Sequence, residues 1–180
     1  GMTVGACPVR NPFQVFQFIS WSIVLVYLFT GQVFRLSLFG TASASLAALI
    51  GLAAYLVPGD IYSGPMSPLG GHPRVEAHAA IALLSYGIFG LLAVLSALYL
   101  LQNYGLKKKR YPGIFRFLPP IMEMDTVLFR LLMMACGAFT VSVAIGALYW
   151  LDHPDQVTGL KLAFTVTLWL AYLLVLALRS

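Results

Sequence analysis

The chain has 180 residues, of which 60% are hydrophobic and 9% are charged, and its formal net charge is +5. A soluble domain of this size carries a larger share of charged residues on its surface, so the composition excludes an ordinary soluble fold. The excess of positive charge comes mainly from one loop between apolar stretches. That distribution is a signal of membrane topology and argues against nucleic acid as a partner.

Five apolar stretches are long enough to cross a hydrocarbon core, which requires about 20 helical residues. The second is short and rich in Ala, Ser and Gly, so we expect it inside the bundle. The fourth carries Ala138, Ser142 and Gly146 at four-residue steps, which predicts a packing face against another helix. The predicted fold is an all-α polytopic membrane bundle of about five transmembrane helices in a single membrane domain, with spans at about residues 13–30, 41–57, 75–102, 127–150 and 160–178.

The loop between the third and fourth spans sets the predicted orientation. It contains the run Lys107–Arg110 and also Arg116, and cytoplasmic loops collect such residues. Alternation of the spans then places the C-terminus on the cytoplasmic side and the N-terminus outside. The N-terminal residues lack the pattern of a cleaved signal peptide. The chain ends directly after an apolar stretch, so we expect it to be a piece of a longer protein.

His78 is the strongest candidate for a binding residue. It lies about one turn inside the third span, after Pro73, on the outer side of the predicted topology. The positive end of the helix dipole disfavours its protonation, and a neutral imidazole can bind a metal ion. Small and polar residues on the same helical stripe leave room for a flat ligand. The alternative is a histidine hydrogen-bonded at the helix entrance, above serines that bond to carbonyl groups of their own helix.

The remaining histidines are weaker candidates. His153 lies close to Trp150 after the fourth span, where aromatic residues belt the interface and Asp, His and Pro form ordinary turns. His72 lies in a loop rich in Gly and Pro and is weaker still. No spacing of His, Cys, Asp or Glu predicts a divalent-metal site. The scarcity of ionisable residues within the spans argues against a proton relay or a charged-substrate path.

Two segments give the chain a resemblance to the cytochrome c assembly protein family, whose members include the CcsA, ResC and HemX types. The first is HAAIALLSYGIFGLLAVLSALYLLQNYGLKKKR, residues 78–110, in which a histidine opens a long helix and is followed by Ser85-Tyr86, a Tyr-Leu-x-Gln end and a lysine-rich exit. The second is LPPIMEMDTVLFRL, residues 118–131, which is similar to the family's Leu-Pro-Pro, acidic pair and Phe-Arg-Leu pattern.

This resemblance implies a haem-handling membrane protein of cytochrome c biogenesis in the bacterial inner membrane, which binds or presents haem at the extracytoplasmic face. It implies that His78 is an axial ligand of the haem iron, the one metal expected. Trp150 and His153 are the lesser candidates for cofactor contacts. The implied partners are membrane lipid, other cytochrome c assembly subunits and apocytochrome c. No catalytic residue is predicted, so the chain is at most a subunit or domain of a cytochrome c synthetase system and not an enzyme on its own.

Several departures from the family pattern keep other functions open. Of the Trp-rich outer segment of CcsA-type members, only Trp150 and Asp152 remain, and two histidines of the family pattern are replaced by Ala177 and Leu160. These departures favour a HemX-like or partial member. One alternative is therefore a HemX-like regulatory or scaffold membrane protein that acts through partners without a stable cofactor. A transporter fragment is a further alternative, but the proline-free spans speak against it.

Overall fold

The computed structural model describes residues 12–34, 37–56, 73–108, 120–153 and 159–179. Nearly all of these residues are helical, and none of them lies in a strand. The helices are α1 (Pro12–Phe34), α2 (Ser37–Leu56), α3 (Pro73–Lys107), α4 (Ile121–Asp152) and α5 (Gly159–Arg179). Each is long and apolar enough to cross a membrane. The predicted all-α polytopic bundle of five helices is thereby confirmed.

The helices extend beyond the predicted apolar spans. α3 continues to Lys107 and α4 begins at Ile121, whereas the apolar stretches end near Gln102 and begin near Val127. At about 1.5 Å per residue, the 35 residues of α3 reach roughly 50 Å, which exceeds the ~30 Å hydrocarbon core. Apolar composition therefore marks the part of a helix that lies in lipid, and the more polar ends continue the same helix beyond it.

The two long helices α3 and α4 form the centre of the bundle, and α1 packs across α3. Their shared core is apolar and lies in the half of the bundle away from His78. It consists of Ile23, Val26, Phe39, Ala47, Ile88, Leu91, Leu95, Met124, Val127, Leu128, Leu131 and Ala135. The outward faces also carry large apolar side chains, which in a membrane-spanning helix lie against lipid acyl chains.

Gly87 explains the close approach of α1 to α3. A Cβ atom at this position would overlap the Oγ atom of Ser22 and would lie 2.8 Å from the Ser22 Cβ. The Ser22 side chain is fully buried there, and its hydroxyl donates a hydrogen bond of 2.8 Å to the Ile19 carbonyl. Glycine at position 87 therefore allows two helix backbones to pack more closely than any larger residue would permit.

The prediction that the second span lies inside the bundle is wrong. α2 packs mainly on α1 and leaves its opposite face, which includes Leu49 and Leu52, exposed at the edge of the described structure. Its small residues do allow close packing, and Ser20 of α1 donates a 2.8 Å hydrogen bond to the Ala47 carbonyl. Small residues indicate a close neighbour on one face, and they do not require neighbours on every side.

Among the described residues, two ion pairs hold α4 to its neighbours, one at each end of the bundle. Arg74 at the start of α3 binds Asp152 at the end of α4, with 2.6 Å between Nη1 and Oδ2. Arg179 at the end of α5 binds Asp125 near the start of α4. These exposed pairs add little stability, typically 0–1 kcal/mol each. We refer below to the end with Arg74 and Asp152 as the His78 end and to the opposite end as the Lys107 end.

Candidate functional site

A cavity of about 380 Å³ opens at the His78 end, between α3, α4 and α5. Its volume falls within the range of roughly 300–1,000 Å³ that is typical of small-molecule sites. Most of the lining side chains are apolar, and no lining residue among those described is acidic. The lining consists of Val75, His78, Val143, Gly146, Ala147, Tyr149, Trp150, Lys161, Leu162, Thr165 and Val166. Such a cavity suits an apolar ligand with a few polar groups.

The His78 ring is held in one orientation by Ser142 of α4. Its Nδ1 atom lies 2.7 Å from the Ser142 carbonyl oxygen and 3.1 Å from Ser142 Oγ. The Ser142 hydroxyl donates its own proton to the His78 carbonyl at 3.0 Å. Both oxygens therefore face Nδ1 as acceptors, and Nδ1 carries the proton of this contact. In the neutral ring, Nε2 then bears the lone pair, which is the arrangement of a metal-binding histidine oriented by a backbone carbonyl.

Gly146 provides the space into which the His78 ring fits. A Cβ atom at this position would lie 2.9 Å from both Cε1 and Nδ1 of the ring and 3.6 Å from Nε2. Ser142 thus binds the imidazole by a hydrogen bond, and Gly146 leaves the space that the ring occupies. The predicted packing face of small residues on α4 is confirmed: Ser142 is fully buried, and Ala138 packs against the core.

Contacts between α4 and α5 continue from the cavity toward the Lys107 end. Trp169 Nε1 donates a 2.9 Å hydrogen bond to Thr140 Oγ1, and Thr140 in turn donates to the Cys136 carbonyl at 2.7 Å. Beyond this pair, Tyr172 stacks on Phe89 of α3 with ring centroids 4.1 Å apart. These contacts join α5 to the centre of the bundle on the side of the Lys107 end.

The side chains at the cavity suit a metal ion that is already bound by most of its ligands. Within the described ranges, no group of three or more His, Cys, Asp or Glu side chains could hold a metal ion. A single imidazole is sufficient for haem, because the porphyrin supplies four nitrogen ligands and the protein supplies an axial one. His78 lines a mostly apolar cavity, and its Nδ1 atom is already bonded to Ser142, so Nε2 is the nitrogen left for a metal and the residues present fit a haem group.

The structure brings two of the three sequence-predicted cofactor residues to the cavity and leaves the third outside its lining. Trp150 lines the cavity together with His78. His153 is not among the lining residues, and its ring stacks on Tyr149 at 4.7 Å between centroids, so it contacts the cavity wall from behind. A direct contact of His153 with a cofactor stays a prediction. His72, the weakest candidate, lies outside the described residues.

Sequence reasoning found His78 but missed most of the residues around it. The spacing of Ser142 and Gly146 predicts a packing face on α4. It does not indicate that His78 packs against that face. Lys161 belongs to no motif in the sequence, yet it lines the cavity. Ser85, a polar residue two turns beyond His78 on α3, donates to the Ala82 carbonyl of its own helix at 2.7 Å. The alternative of a histidine hydrogen-bonded at the helix entrance is thus realised at Nδ1, while Nε2 receives no hydrogen bond from any described residue.

The fold and the site together define a polytopic helical membrane protein with an oriented imidazole in an apolar cavity. The model of the family described as "Cytochrome C assembly protein" matches residues 9–180. The chain therefore belongs to the cytochrome c assembly protein family, and it is a membrane protein related to cytochrome c biogenesis. The resemblance predicted from the His78 and Leu118 segments is confirmed.

Two relatives carry the name Protein HemX. The chain is 27% identical over 148 residues to Protein HemX of Brevibacillus brevis, a match that covers 81% of this chain and 53% of the relative. It is 26% identical over 187 aligned positions to Protein HemX of Bacillus subtilis (strain 168), which covers 97% of this chain and 64% of the relative. The chain thus spans a little over half the length of these relatives. No solved structure matches it.

Proposed function

We propose that this chain binds haem in the cavity at the His78 end and presents it to partner proteins of cytochrome c biogenesis. One observation carries the proposal: the Nδ1 atom of His78 is fixed 2.7 Å from the Ser142 carbonyl, and the same residue lines a mostly apolar cavity. Membership of the cytochrome c assembly family supports haem as the ligand.

Each side chain at the site has a separate task in this proposal. His78 would hold the haem iron through Nε2, and Ser142 fixes the ring and its tautomer. Gly146 leaves room for the ring beside α4. The apolar walls, which include Val143 and Val166, exclude water from the bound porphyrin face, and Trp150 offers an aromatic surface at the rim. Haem, when bound, supplies the iron centre and the porphyrin that are to be delivered.

The proposal includes an orientation in a bacterial inner membrane. The Lys107 end carries the basic loop, and such residues remain on the cytoplasmic side. The His78 end is then extracytoplasmic, where haem is attached to apocytochrome c. A tag inserted between Lys107 and Arg110 is expected to be reached by a membrane-impermeant label only after the cytoplasmic side is opened. Labelling of the tag in intact cells would reverse the topology.

The partners in this proposal are other cytochrome c assembly subunits and apocytochrome c, with membrane lipid around the bundle. The lining is mostly apolar, and it contains no carboxylate or thiol among the described residues. We therefore assign the chain a binding and presenting role, in which the attachment chemistry belongs to a larger synthetase system. The chain spans 53% of one HemX relative and 64% of the other, so the activity of a whole protein of this type is also a proposal.

The proposal is tested by a titration of the purified chain with haem in lipid nanodiscs. We expect a Soret band shifted to longer wavelength than that of haem in empty nanodiscs, saturating at one haem per chain, because an imidazole joins the iron. Empty nanodiscs of the same lipid are the control for partition into the bilayer. A spectrum identical to that of the control, at haem concentrations well above the protein concentration, would remove the proposed function.

The HemX-like regulatory or scaffold role remains the second candidate, and the names of the two relatives favour it. A protein with this role would have the same fold but would bind no haem stably. A scaffold would be colourless with added haem and would co-purify with proteins of haem synthesis or cytochrome assembly. The same nanodisc titration therefore separates the two functions.

A further inference from the structure

Lys161 is the one positively charged side chain in the described lining of the cavity. It lies in the first turn of α5, which contains no acidic residue. A cation in the first turn of a helix opposes the helix dipole, so Lys161 does not stabilise α5 by its charge. The position therefore needs an explanation other than helix stability.

Among the residues that the structure describes, no ion pair includes Lys161. At the same end of the bundle, Asp152 is bound to Arg74 at 2.6 Å, and at the other end Asp125 is bound to Arg179. The backbone carbonyl of Lys161 accepts a hydrogen bond from Thr165 Oγ1 at 2.9 Å, and this bond leaves the side chain uninvolved. The ammonium group is thus a hydrogen-bond donor at the rim of an apolar space.

His78 and Lys161 line the same cavity from different helices, α3 and α5. A ligand that satisfies both must offer a metal to the imidazole and an anionic group to the ammonium, with an apolar body between them. An ammonium at the edge of a low-dielectric site favours carboxylates more than it would in bulk water. Haem has this composition, because its planar ring carries two propionates on one edge.

We propose that Lys161 binds a propionate of the porphyrin, and that this contact selects carboxylate-bearing porphyrins over their neutral esters. The inference deepens the proposed function and rests on it, since it assigns the ligand class of the same cavity. Lys161 is a specificity residue that acts through the ligand's edge, whereas His78 acts at its centre. A lysine that merely anchors α5 at the membrane surface would not discriminate between an acid and its ester.

The test uses iron-free protoporphyrin IX and its dimethyl ester, titrated by fluorescence into the full chain in zwitterionic nanodiscs. We expect Lys161→Met to weaken binding of the free acid by about tenfold, between the effects of an exposed ion pair and of a hydrogen bond to a charged group. Binding of the dimethyl ester should be unchanged by Lys161→Met. Lys161→Arg should retain affinity for the free acid to within about threefold, because the charge is kept.

Lys107→Met is the matched control, because Lys107 lies on the opposite end of α3 and is also exposed. Equal losses for acid and ester in Lys161→Met, or an equal loss in Lys107→Met, would overturn the inference while leaving haem binding through His78 in place. Selective loss of the acid without any His78-dependent Soret band would retain the inference and remove axial ligation. If neither porphyrin nor haem binds the wild-type chain, both proposals fail.

Discussion

Replacement of His78 by alanine is expected to abolish the haem-dependent Soret shift, with a loss of haem affinity of more than about a hundredfold. Removal of a residue that only orients a ligand already costs about 10- to 100-fold in metal affinity, and His78 is the proposed ligand itself. The substitution also removes the hydrogen bond to the Ser142 carbonyl, which is worth roughly 1 kcal/mol of stability. The bundle should therefore still fold, with unchanged helical content by circular dichroism.

His153→Ala is the control for this experiment, because the ring of His153 stacks behind Tyr149 and does not line the cavity. It should keep the Soret shift and the affinity of the wild type. Added imidazole should partly restore the shift in His78→Gly, since the free base can occupy the vacated space. A wild-type spectrum in His78→Ala, or a lost spectrum in His153→Ala, would assign the axial ligand elsewhere.

Substitution of Gly146 by valine is expected to weaken haem binding by about tenfold to a hundredfold without any change to a polar group. The new Cβ would lie 2.9 Å from two atoms of the His78 ring. The ring must then tilt away from α4 and lose its alignment with the Ser142 carbonyl. An orienting hydrogen bond to a metal-binding histidine is worth that range of affinity. The expected readout is a weaker and shifted Soret band at unchanged protein yield.

Gly137→Val on the same helix is the matched control, because a Cβ atom at Gly137 would meet nothing within 4 Å. It makes the same chemical change and introduces the same β-branched residue into α4. We expect wild-type affinity for haem in this variant. Equal losses in the two variants would attribute the effect to the helix backbone, and an unchanged spectrum in Gly146→Val would show that the ring need not lie against α4.

The helices were predictable from the sequence because lipid imposes a simple rule on composition. A segment that spans the membrane must be apolar over about 20 residues, and such stretches are visible without knowledge of any partner. The ends of α3 and α4 were not predictable in this way, since their polar turns continue the helix outside the lipid. The position of α2 was also missed, because its small residues indicate close packing without saying on how many sides.

The candidate site was predictable only in part, for a similar reason. His78 is recognisable from its position in the first turns of a long apolar helix, and Ser142 and Gly146 from their spacing. The hydrogen bond between His78 and Ser142 joins residues 64 positions apart, so it depends on the register of α3 against α4. Lys161 lines the cavity because of the position of α5 in the bundle. No local pattern contains that information, whereas the family resemblance carried by residues 78–110 pointed to His78, which lines the cavity.

α5 contributes no side chain to the buried core, and its middle is held by Trp169 on Thr140 and by Tyr172 on Phe89. The turns of α5 that line the cavity lie before these contacts. Displacing them uncovers little packed surface, whereas separating α3 from α4 would disrupt the core. The start of α5 is therefore the wall of the cavity that can be displaced with the least loss of buried apolar contacts. For the proposed function, this makes the side of the cavity formed by α5 the expected entrance for a ligand dissolved in the bilayer.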